Sequence, residues 1–130
     1  MTADARVELD QLMGSEVVEI KLYGGIELVF GEAREATLQI ESDFQVVCPD
    51  RSVTVHFSPG HDGASSGLDA LPAIFRKTVM AAFAYADGAL ALEFSNAVGL
   101  RIAPDENYEA WVLTTMSGGT LVSLPGGGLG

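Results

Sequence analysis

Few residues in this chain have the types and spacing that chemistry requires. His56 alternates with Val55 and Phe57 and so points outward from an expected strand, and no base, orienter or nucleophile is spaced to work with it. His61 and Asp62 sit in a Gly/Ser stretch and would supply at most part of a metal site, with no further ligand at a recognisable spacing. Cys48 shares a register with Phe44 and Val46, which makes it a small core residue rather than a nucleophile. The run Asp105-Glu106-Asn107-Tyr108-Glu109 clusters oxygens but lacks the alternating ligand positions of a calcium loop, and it reads as a solvated turn. Pro125-Gly126-Gly127-Gly128 is not followed by Lys-Ser/Thr and a helix, and Tyr23-Gly24-Gly25 reads as a hairpin turn, so neither cradles a phosphate. The expectation is a non-enzyme without cofactor or metal.

Charge points the same way. Eighteen acids against seven bases give a formal net charge of −11, which repels a phosphate backbone and speeds encounter with a basic protein. Nucleic acid is therefore excluded as a partner, and the charge either simply keeps the protein soluble, the preferred reading, or draws a basic protein partner. One cysteine cannot form an intramolecular bridge, the start has no basic and then apolar leader, and no apolar run reaches the roughly 20 residues of a spanning helix. These features point to the cytoplasm and away from the membrane.

The elements that position these residues are expected to be strands. Residues 1–130 fit one domain, 48% hydrophobic, with 15 glycines and frequent β-branched residues. A shift of 62 positions places Leu9 on Leu71, Val17 on Val79, Tyr23 on Tyr85, Leu38 on Leu100 and Ile40 on Ile102. Between the tyrosines and these leucines the shift is 64, pairing Leu28 with Leu92 and Phe30 with Phe94; carried further, it sets Phe44 against Tyr108. Two diverged repeats follow, about 9–60 and 71–126, joined by a linker at 58–70.

Period-two alternation predicts strands at 16–23, 26–31, 36–41, 44–48 and 53–57, then 78–86, 89–94, 98–103, 108–115 and 120–124. Short helical turns are expected before each set, at 9–13 and 71–75. The predicted fold is all-β with minor α: two pseudo-symmetric five-strand antiparallel meanders, packed as a small sandwich or barrel because each alone leaves one apolar face bare.

Outward positions differ between the repeats. The first offers Glu19, Lys21, Glu27, Gln39 and Glu41, a solvated face. The second offers Ala82, Ala84, Ala89, Ala91, Trp111, Leu113 and Leu121, which must be covered internally or used as a homodimer or partner surface. Arg101 and Glu93 are expected to pair across neighbouring strands.

Tyr108-Glu109-Ala110-Trp111, the strand Gly88 to Phe94 and the closing Pro125-Gly126-Gly127 together resemble a family of uncharacterised small bacterial domains with a tyrosine-glutamate-alanine-tryptophan and Pro-Gly-Gly signature. The resemblance covers most of the chain, carries no established activity and transfers no catalytic residue. Tyr108, Glu109, Trp111 and Leu113, with the acids Glu19, Glu27 and Glu41, are the candidate interface residues, although a buried tryptophan closing one end of the sandwich is the preferred explanation of Trp111. The leading reading is an acidic interaction domain of inhibitor or immunity type. The alternative is a small apolar-ligand barrel with a cavity lined by Phe30, Met80, Phe83 and Phe94.

Overall fold

The computed structural model describes residues 6–22, 25–57, 64–116 and 119–130. The chain forms β1 (Arg6–Glu8), a 3-10 turn (Asp10–Leu12), β2 (Val17–Leu22), β3 (Ile26–Phe30), β4 (Ala36–Ile40), β5 (Phe44–Val47), β6 (Ser52–Phe57) and β7 (Ala64–Ser66). A second 3-10 turn (Leu68–Ala73) precedes β8 (Val79–Tyr85), β9 (Leu90–Phe94), β10 (Gly99–Ile102), β11 (Trp111–Thr115) and β12 (Thr120–Val122). All ten expected strands are present. β1 and β7 are additions, three residues each.

The strands make two antiparallel sheets. One runs β1-β8-β9-β10-β5-β6, extended at its edge by β7, and the other runs β12-β11-β4-β3-β2. Among the described residues both sheets keep open ends, so no barrel closes. Nor does either set of five strands make a sheet by itself. β5 leaves β4 and pairs with β10, while β11 leaves β10 and pairs with β4, so each set is divided three and two between the sheets.

The connecting residues explain why the meanders break there. Glu41-Ser42-Asp43 offers no glycine for the left-handed position that a short hairpin needs. After β10, Pro104 fixes its own φ and lacks an N–H, which disfavours an immediate return. At both places the chain crosses to the other sheet.

Where β2 and β8 begin, the backbone contacts come in reciprocal pairs. Val17 N–H donates to Lys77 O at 3.2 Å and Val79 N–H to Ser15 O at 2.8 Å; Arg76 N–H donates to Val17 O and Gly14 N–H to Val79 O, both at 2.8 Å. Glu16 and Thr78 form a bridge there. A bulge falls between Val17 and Glu19 in one sheet and between Val79 and Ala81 in the other.

The second bulge corrects an expected orientation. It turns Met80 out to 57% exposure and resets the alternation, so Ala82 and Ala84 are buried and Phe83 and Tyr85 lie on the opposite face of β8. One core lies between the sheets, with Ile26, Leu28, Phe30, Leu38, Ile40, Trp111 and Leu113 from one and Phe44, Val46, Val55, Leu90, Leu92, Phe94, Leu100 and Ile102 from the other. Phe30 and Phe94 are core residues, Phe83 is half-buried and Met80 exposed, so these four do not line a common cavity.

Candidate functional site

The tyrosine-glutamate-alanine-tryptophan segment is where structure and exposed chemistry meet. Ala110 and Trp111 are fully buried. The indole Nε1–H donates to Gly88 O at 2.9 Å, and Trp111 O accepts from Ser123 N–H at 3.0 Å. Trp111 pairs with Ile40 and Leu113 with Leu38, which puts both side chains in the core. Neither presents a surface to a partner: Trp111 closes the sandwich, the preferred of its two readings, and Leu113 is core rather than interface. The long loop before β11 sets this register, in which Trp111 pairs with Ile40 and Phe44 with Ile102.

The Pro-Gly-Gly element docks onto the same end. Gly126 N–H donates to Asp105 O at 2.8 Å and Gly128 N–H to Asp87 O at 2.9 Å. Gly126, Gly127 and Gly128 all have φ between 81° and 112°, a conformation that disfavours side chains. Val122 and Gly130 exchange backbone hydrogen bonds at 3.2 and 2.8 Å, so Gly130 lies along the edge of β12.

With Ala110 and Trp111 committed to packing, Tyr108 and Glu109 remain exposed, the tyrosine at 52%. Asp105 Oδ1 accepts from the N–H groups of Asn107 and Tyr108 at 2.8 and 3.2 Å, which shapes the turn that carries them. The loops at this end, 41–43, 86–89 and 103–110, hold Glu41, Asp43, Asp87, Asp105, Glu106 and Glu109 and no Lys or Arg. Glu41, Ser42, Asp43, Ala103, Pro104, Asp105 and Tyr108 line a recess of about 340 Å³.

The other expected acids lie elsewhere. Glu19 and Glu27 are on the outer face of the five-strand sheet, half-buried. Glu19 pairs with Arg34 at 2.7 Å, and Glu27 stands opposite Lys21. Gln39 Nε2–H donates to Glu41 Oε2 at 2.9 Å. That face therefore mixes charges. At the end opposite the recess, Arg76 meets Glu16 at 3.7 Å and Glu32 at 2.8 Å.

A larger trough, about 480 Å³, lies on the outer face of the seven-strand sheet. Ala89, Ala91 and Ala103 give it a floor of small side chains, with Tyr85 on one side and Gln45 and Thr54 on the other. Arg101 stands in it between Ala91 and Gln45 in register and approaches Glu93 at 3.6 Å, the expected surface pair. His56 Nδ1 and Asp43 Oδ2 are 3.1 Å apart, both about half exposed. Cys48 is half-buried against the core. His61 and Asp62, with Tyr23 and Gly24, lie outside the described residues.

Among the described residues no group of three or more His, Cys, Asp and Glu side chains is placed to hold a metal ion, and no helix is long and apolar enough to cross a membrane. Sequence alternation had already put Ala89 and Ala91 outward. It could not see that they would meet Tyr85, Gln45 and Thr54, because that requires β5 to cross sheets. Residues 9–130 match the model of a family of unknown function, DUF6188. No curated protein and no solved structure matches the chain.

Proposed function

This chain belongs to the DUF6188 family of unknown function, and we propose that it is a non-catalytic interaction domain whose acidic end engages a basic protein partner. The observation that carries this reading is a cluster of acids in the loops of one end. Six acids, Glu41, Asp43, Asp87, Asp105, Glu106 and Glu109, gather in loops that hold no Lys or Arg, with Lys21 and Arg101 on the flanking strands and His56 beside Asp43, whereas Arg34 and Arg76 away from that end are held by carboxylates. A field of one sign steers an oppositely charged protein, and an exposed tyrosine beside it supplies contact area at small entropic cost.

An inhibitor or immunity-type role in the cytoplasm fits such a surface, since both need fast capture of a cationic target. A homodimer is the competing occupant of the outer trough that Ala89 and Ala91 line. We also take the reciprocal contacts around Glu16 and Thr78, with the bulges at matching places, as support for descent from a duplicated five-strand unit.

The test is capture from the native host at roughly 0.05 M and roughly 0.5 M salt, with wild type beside the Glu106→Lys/Glu109→Lys variant. The reading expects a basic protein retained by wild type at low salt, released at high salt and lost by the variant. Equal retention by both proteins contradicts it.

A further inference from the structure

We infer that the trough and the acidic recess form one continuous groove for an extended peptide segment in which an apolar pair adjoins basic residues. This rests on the reading of the acidic end as a binding surface and specifies what binds there. The two depressions are contiguous: Asp43 and Ala103 line both. Their chemistry differs along the length. The trough floor is Ala89, Ala91 and Ala103 beside Tyr85, small residues next to an aromatic wall, which leaves depth for a partner's side chains. The recess is rimmed by Glu41, Asp43 and Asp105 with the Tyr108 ring exposed at its edge, a setting that suits a guanidinium or ammonium through carboxylate pairing and a ring face.

Arg101 fixes which part of the segment lies where. Among the described residues it is the one Lys or Arg lining the trough, held towards Glu93 at 3.6 Å. A basic residue laid over it would be repelled, so the apolar pair occupies the trough and the basic pair the recess. The trough alone would suit any apolar segment, and the recess alone any cation; their continuity selects the combination.

The experiment is an NMR titration of the isotope-labelled full chain with three capped pentapeptides: Trp-Leu-Gly-Arg-Arg, Gly-Gly-Gly-Arg-Arg and Trp-Leu-Gly-Gly-Gly. The combined peptide is expected to shift the amides of Ala89, Ala91 and Ala103 together with those of Asp43 and Asp105, and to bind at least about tenfold more tightly than either half. Ala91→Trp, which fills the trough from an outward position, should bring the combined peptide down to the affinity of Gly-Gly-Gly-Arg-Arg while leaving the melting curve in place.

If the two arginine peptides bind equally and only the acidic end responds, the groove is overturned and the acidic surface stands. If no peptide perturbs the acidic end, both fall. Trough shifts on dilution of the protein alone would show a second copy there, which also overturns the groove.

Discussion

Trp111 and Gly88 hold the acidic end together through one buried contact. The indole N–H donates to Gly88 O, and a Cβ on Gly88 would lie 2.9 Å from Ser123 Oγ and 3.0 Å from Gly128 O. Trp111→Phe removes that donor and leaves a void, and should cost about 2–4 kcal/mol in urea unfolding. Gly88→Ala meets both the crowding and a φ of 99° and should lose more than about 1 kcal/mol. Ser123 behaves oppositely: its buried Oγ has no hydrogen-bond partner among the described residues, so Ser123→Ala should be neutral or stabilising in the same assay. Tyr108→Ala should move stability by no more than about 0.5 kcal/mol, because the ring is exposed. The sequence alone could separate Tyr108 from Trp111 only through register. A shift of 64 aligned Tyr108 with Phe44 and so turned Trp111 and Leu113 outward; the extra loop residues before β11 were invisible until the pairing with β4 was known.

Among the elements, the ten expected strands were legible because apolar residues alternate along them and Gly, Pro or Asp breaks them. The crossings after β4 and β10 were not, since alternation says which face a strand buries but not which neighbour it joins. In the sequence the Pro125-Gly126-Gly127 segment carries only a family resemblance and no phosphate loop. Its structural task is to shield β12, whose edge would otherwise offer unpaired backbone groups. Val122 N–H is bonded to Gly130 O at 3.2 Å. Removing Leu129 and Gly130 should therefore accelerate hydrogen exchange at Val122 by at least about tenfold, while Leu38 and Leu113 in the strands behind it stay protected. Unchanged exchange at Val122 would mean that the terminus does not cover that edge.

At the scale of the whole molecule, the crossings interlock the two sets of strands, because each sheet contains strands from both. Unfolding either set would strip partners from the other. Trp111 fluorescence and far-UV dichroism should therefore report one coincident urea transition, and two separated transitions would show that the sets unfold independently. The same architecture gathers the loops 41–43, 86–89 and 103–110 at one end, and with them the acids and Tyr108. Photo-crosslinking in the native host addresses that end most directly, with a benzophenone amino acid placed at Tyr108 or, for comparison, at Glu32 in the loop at the opposite end. The account predicts a crosslink from position 108 to a basic protein and none to it from position 32. A partner captured from position 32 alone, or an acidic partner captured at position 108, would contradict it.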